Sequence, residues 1–179
     1  MQSKPPSAYT RADLVAFCCL VREGGQVRGP RLEERVSRAR KLVLLRDGAS
    51  VVGTAAIKVP SAGYKEKVFR CAGVPEVENE YSLELGYVVV AETHQGKGLS
   101  RELVEAALQG FASSPLFATS RVEKTRMHRT LRRFSFEQIG NAYESEDEGG
   151  KVLLFVLRAA QQSDTTDQRS RTRPDAARS

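Results

Sequence analysis

The chain has 179 residues, 40% of them hydrophobic, with a formal net charge of +6 and a sequence pI near 9.4. That length supports a single domain with its own core, and no apolar run approaches the roughly eighteen residues of a membrane span. Cys18, Cys19 and Cys71 form no CxxC pair, which argues against a disulfide framework or a zinc site and for a reducing cytoplasmic setting.

Residues 1–8 lack an apolar core and read as a loose lead-in, not a secretory signal. Thr10 or Asp13 can cap a first helix running to about Glu23, with Leu14, Phe17, Cys18 and Val21 at helical spacing and both Cys18 and Cys19 in its apolar stretch. Gly24-Gly25 ends it. Pro30 can open a second helix over 30–40, with Leu32, Val36 and Ala39 on one face. Strands are expected over 41–46 and 51–59, joined by the hairpin turn Asp47-Gly48. Residues 60–80 read as a long connection with a helical turn near 64–72. A strand over 83–90 precedes a glycine-rich turn, and an amphipathic helix follows over 99–112. A short strand at 117–119, a helix after Lys124, and strands over 137–143 and 152–157 complete the pattern. The acidic turn 144–150 reads as solvated. The tail 161–179 holds four arginines against three aspartates and almost no large apolar residue. It is expected to be disordered, leaving 1–160 as the folded domain.

The turn Gln95-Gly96-Lys97-Gly98-Leu99-Ser100 is the most informative segment. A strand, a glycine turn and a helix together present bare backbone N–H groups to a phosphate, and the helix N-terminus adds partial positive charge. A Walker A loop needs GxxxxGK[ST], and a dinucleotide fingerprint needs a third glycine or alanine where this chain has Arg101. Neither ATP nor NAD is supported.

Gln95, Gly98 and Ser100 instead fit Q/R-x-x-G-x-G/A, with serine as the small residue at the last place. This resembles the acyl-CoA pyrophosphate loop of the GNAT superfamily of N-acyltransferases. Downstream, Lys124-x-x-Met127-x-x-x-Leu131 and Phe134-Ser135-Phe136 stand where that family has an Asn-x-x-Met/Ala helix and a Gly-Phe ending. The resemblance implies an α/β (α+β) fold. Its mixed, mostly antiparallel twisted sheet is flanked by helices, and here the first strand is not evident. It implies acetyl-CoA as cosubstrate, no metal, and a small-molecule or peptide amine as acceptor. Residues implied at the cofactor are Val88, Val89 and Val90 of the strand, the loop residues Gln95, Gly96, Lys97, Gly98, Leu99 and Ser100, and Lys124 and Met127.

Glu84 lies eleven residues before Gln95, the spacing at which one branch of the family carries its general base. A lysine-like amine, with pKa near about 10.4, is neutral in only about one molecule in two thousand at pH 7, so a base has to take its proton. Partial burial makes a carboxylate a better proton acceptor. The plainer alternative is a Glu84 that is exposed or paired with an arginine. Relatives carry an acid tyrosine five residues before the Gly-Phe phenylalanine. Counting back from Phe136 gives Leu131, which cannot donate, and leaves Tyr87 or Tyr143 as fallback acids. Two other readings stand beside a catalytic one. The first is a non-catalytic acyl-CoA-binding domain, suggested by Leu131 and Lys124. The second is an RNA-directed acyltransferase, suggested by the arginines of the helix after Lys124 and by the basic tail.

Overall fold

A computed structural model describes residues 1–25, 31–145 and 149–159. The sequence features placed at Pro30, at 146–148 and in the tail from 161 lie outside the described residues.

A seven-stranded sheet organises the chain, in the order β1-β2-β3-β4-β5-β7-β6. Its strands are β1 (Gln2–Lys4), β2 (Lys41–Asp47), β3 (Ser50–Lys58), β4 (Leu83–Val90), β5 (Leu116–Arg121), β6 (Glu137–Ser145) and β7 (Gly150–Leu157). Every pairing is antiparallel except β4 with β5. The helices are α1 (Arg11–Glu23), α2 (Leu32–Ser37), α3 (Ala62–Ala72), α4 (Leu99–Leu108) and α5 (Thr125–Arg133).

Alternation along the strands sends side chains to two cores. Val43, Ala55, Ile57, Leu85 and Val88 pack with Leu103 and Val104 of α4 and Leu131 of α5. Leu42, Leu44, Ala56 and Tyr87 pack on the opposite face with Phe17, Cys18 and Val21 of α1 and Leu32 and Val36 of α2. On that second face, α3 sets Val68 and Phe69 against Phe117, Leu154 and Val156. The Phe69 ring stacks on Tyr81 at 5.6 Å and meets Phe117 edge-on at 5.3 Å. So α1, α2 and α3 cover one face of the sheet, and α4 and α5 cover the other.

Several expectations need correction. The first strand is present: β1 pairs with the free edge of β2, Ser3 opposite Val43. Three residues carry no period to detect, and tertiary contacts hold them. The Tyr9 hydroxyl donates to Gln2 O at 3.0 Å, and Ser3 Oγ donates to Ala106 O at 3.3 Å. The segment 60–80 is largely ordered secondary structure. Ser61 caps an eleven-residue helix, Gly73 ends it at φ +79°, and a 3-10 segment spans Pro75–Glu80. The second helix is shorter than expected and runs over Leu32–Ser37. The helix after the glycine turn stops at Leu108, because Gln109 leaves helical geometry and Gly110 turns to φ +82°. Cys18 is buried but Cys19 is exposed.

Candidate active site

The site begins with an irregularity in β4. Ala56 pairs with Gly86 and Thr54 with Val89, so Ala55 stands opposite both Tyr87 and Val88. Such a bulge bends a strand and resets its alternation. Tyr87 takes φ +53°, a conformation that is uncommon outside glycine. The buried Thr54 hydroxyl donates to Tyr87 O at 2.9 Å, which satisfies a carbonyl the bulge takes out of the ladder.

Already before the bulge β4 loses its other neighbour. β4 and β5 pair only at Leu83 with Leu116 and Glu84 with Phe117. Beyond those pairs the two strands diverge, and a cleft of about 440 Å³ opens between them. One wall is Leu85, Gly86, Val88, Val89 and Val90, and the other is Ala118 to Arg121. Gly24 and Gly25 at the end of α1 line it on one face of the sheet, while Leu99, Ser100, Lys124 and Met127 line it on the other. The cleft therefore passes through the sheet. Its volume falls in the range of about 300–1,000 Å³ usual for small-molecule sites.

At the α4 end lies the glycine turn. Gly96 and Gly98 adopt φ +81° and +78°, and an added Cβ would meet nothing within 4 Å at either. Glycine is needed there for conformation, not for room within the chain. The backbone N–H groups of Gly96, Gly98, Leu99 and Ser100 make no backbone–backbone hydrogen bond among the described residues; the first such bond inward is Arg101 N–H to Gly98 O at 3.0 Å. This row of donors at a helix N-terminus fits a pyrophosphate. The Gln95 side chain donates to Val90 O at 3.1 Å and so ties the turn to the end of β4. Gln95, Gly96, Gly98, Leu99, Ser100, Lys124 and Met127 all line the cleft; Lys97 is exposed and does not.

Glu84 is 2% exposed and faces the α1–α3 side of the sheet. Its Oε1 lies 2.6 Å from Lys58 Nζ and accepts from the Tyr64 hydroxyl at 3.2 Å. Its Oε2 is buried with no hydrogen-bond partner. The partner is a lysine of the adjacent strand, not one of the arginines. Lys58 Nζ also sits 4.7 Å from the Tyr87 ring centroid. Burial raises the proton affinity of the Tyr87 phenol, with nearby Lys58 opposing the shift. Tyr87 packs edge-on against Phe17 at 6.1 Å and is not part of the cleft wall.

Sequence reasoning missed Lys58 and Tyr64, because strand register and helix docking bring them to Glu84. It also missed His128 of α5. His128 is buried beside Phe155, and its Nε2 lies 3.0 Å from Arg121 O. Its spacing of three from Leu131 was the available signal. Arg121 itself lines the cleft and donates to Gly25 O at 2.7 Å, tying the β5 wall to the end of α1. Among the described residues no cluster of three His, Cys, Asp or Glu side chains is placed to hold a metal. No helix of these residues is long and apolar enough to cross a membrane.

Fold, loop and through-sheet cleft together define a GNAT-type acyltransferase framework. The chain belongs to the acetyltransferase (GNAT) family, whose model matches residues 23–136. Solved structures share the fold. An acyl-CoA N-acyltransferase from Pseudomonas aeruginosa is 15% identical with a TM-score of 0.65, covering 88% of this chain and 98% of that one. Escherichia coli ElaA is 14% identical with a TM-score of 0.63, covering 87% and 96%. FeeM, an N-acyl amino acid synthase from uncultured soil microbes, is 14% identical with a TM-score of 0.64, covering 84% and 87%. At such identities the likeness establishes the fold alone. No curated protein sequence matches the chain.

Proposed function

We propose that this chain is an N-acetyltransferase that moves the acetyl group of acetyl-CoA to a primary amine by direct attack, with Glu84 as general base. The observation that carries the proposal is the unsatisfied, buried Oε2 of Glu84. A buried carboxylate oxygen without a donor is costly, and an incoming ammonium supplies the missing hydrogen bond. Bound acetyl-CoA would supply the activated acyl group. The N–H groups of 96–100 would hold its pyrophosphate, and the walls formed by Val88 to Val90 and Ala118 to Arg121 would enclose its pantetheine arm. Lys124 and Met127 flank the same cleft, one cationic and one apolar. Glu84 then takes a proton from the acceptor, and the polar backbone of the β4 wall orients the reacting carbonyl. Tyr87, kept protonated by burial, is the available phenol for returning a proton to the leaving thiolate. It stands behind the cleft wall, so the thiolate departs largely through its own stability as a leaving group.

Isothermal titration with acetyl-CoA and CoA tests the cofactor assignment; no heat at millimolar ligand defeats it. CoA release with a panel of small amines, amino acids and peptides tests the chemistry. A second reading has its own support. Lys58 already occupies Oε1 of Glu84, and Leu131 stands where relatives carry an acid tyrosine. Tight acetyl-CoA binding without turnover on any amine selects that non-catalytic reading.

A further inference from the structure

Lys58 lies beside Glu84 at the position an acceptor amine has to reach. The two are register partners across β3 and β4, and the Lys58 side chain is 17% exposed. Its Nζ and Cε lie 3.1 and 3.0 Å from the point where a Cβ on Gly86 would stand, and Gly86 is part of the cleft wall. The amine therefore packs on the main chain of a residue that lines the cleft, although neither Lys58 nor Glu84 is itself part of the lining. A lysine serving solely to neutralise a buried carboxylate needs no such contact with the wall. The Tyr64 and Tyr87 rings flank Nζ at 5.7 and 4.7 Å and keep the amine at this spot.

We propose that the protein acetylates itself on Lys58. The inference rests on the acetyl-CoA reading above. In the step, Nζ gives one proton to Glu84 and its lone pair attacks the thioester carbonyl carbon. The N–C bond forms and the C–S bond breaks. CoA leaves as the thiolate, which takes the second proton lost by nitrogen. Nothing is oxidised or reduced, and the proton on Glu84 passes to solvent. The product is a neutral acetyl-lysine in place of the cation beside Glu84.

The test uses the full chain incubated with acetyl-CoA, followed by intact mass and peptide mapping. The expected result is one acetyl increment, mapped to Lys58, with a first-order rate that is unchanged on about tenfold dilution of the protein, as an intramolecular reaction requires. Glu84→Gln is expected to slow the mark by about 10²-fold or more. Lys58→Arg is expected to remove the mark while acetyl-CoA affinity, measured by titration, stays within about twofold. Binding of acetyl-CoA with Lys58 unmodified overturns the self-acetylation alone. Acetyl spread over the exposed Lys97 and Lys151 as fast as over Lys58 does the same, because it marks non-enzymatic chemistry. Absence of acetyl-CoA binding overturns this inference together with the functional reading beneath it.

Discussion

The side chains proposed to carry the chemistry sit in sharply different environments. Glu84 is almost wholly buried with one oxygen satisfied and one not. Replacing it by glutamine keeps the shape but removes the proton acceptor. Turnover is expected to fall by about 10²–10⁴-fold, with acetyl-CoA affinity nearly unchanged and partial recovery at alkaline pH as the free amine accumulates. Steady-state kinetics beside calorimetry check this; full activity of Glu84→Gln at pH 7 would falsify the assignment. Gly98 works through conformation. Valine there has to adopt φ near +78° against a penalty of about 1–2 kcal/mol, within the turn proposed to hold the pyrophosphate. Acetyl-CoA affinity is expected to drop by about tenfold or more while the fold survives. The cysteines divide by exposure. Burial pushes the Cys18 thiol up to about 11, whereas Cys19 and Cys71 are exposed. An aromatic disulfide reagent at neutral pH is expected to titrate two thiols quickly and the third only on unfolding.

At the scale of elements, β1 and α3 are the parts whose existence depends on neighbours. The Tyr9 hydroxyl bridges Gln2 O and Leu42 O, fastening β1 to β2. Burial, reinforced by nearby Asp13, raises its pKa from 10.0 to about 12. The folded state thus binds the phenolic proton more tightly than the unfolded chain does. The stabilisation is fully present below pH 10 and disappears as pH rises through about 12. The melting temperature is expected to fall between these values, and less steeply in Tyr9→Phe, which has no proton to lose there. Thermal melts across that pH window decide the point. α3 buries Val68, Phe69 and Ala72 beneath the sheet. Its amides over 68–72 are expected to exchange with deuterium as slowly as those of β4, in contrast to the lid that a structureless 60–80 segment would make. Fast exchange there would instead show that α3 is not held by the sheet.

For the molecule as a whole, the departure of β5 from β4 is the decisive event. It converts a continuous sheet into two halves joined at Leu83 with Leu116 and Glu84 with Phe117, and it lets one cleft open to both faces. The glycine turn lies on the α4 face and Glu84 with Lys58 on the α1–α3 face, so under the proposed function cofactor and acceptor approach from opposite sides. Arg121 reaches across to Gly25 O, and His128 holds the Arg121 carbonyl. Arg121→Ala is expected to loosen this link and weaken acetyl-CoA binding without unfolding the sheet. Calorimetry and a melting curve on the same variant separate the two effects.

The local sequence determined what short-range chemistry can encode. A cap at Thr10, a β2–β3 hairpin near Gly48, the apolar strand 83–90 and the glycine turn were legible, because backbone preference and side-chain period act within a few residues. The hairpin turn itself is Gly48-Ala49, one residue later than read, and Asp13 completes the Thr10 cap. The spacing from Glu84 to Gln95 was legible for the same reason, since both belong to one strand–turn unit. Tertiary structure alone decided the rest. β1 is too short to show a period and forms because β2 offers an unpaired edge. The bulge follows Gly86, yet it is Tyr87 and not that glycine that takes the left-handed conformation, supported by Thr54 from the next strand. Lys58 and Tyr64 join Glu84 from positions 26 and 20 residues earlier in the chain. Only register and helix docking could bring them within hydrogen-bonding distance of one buried carboxylate.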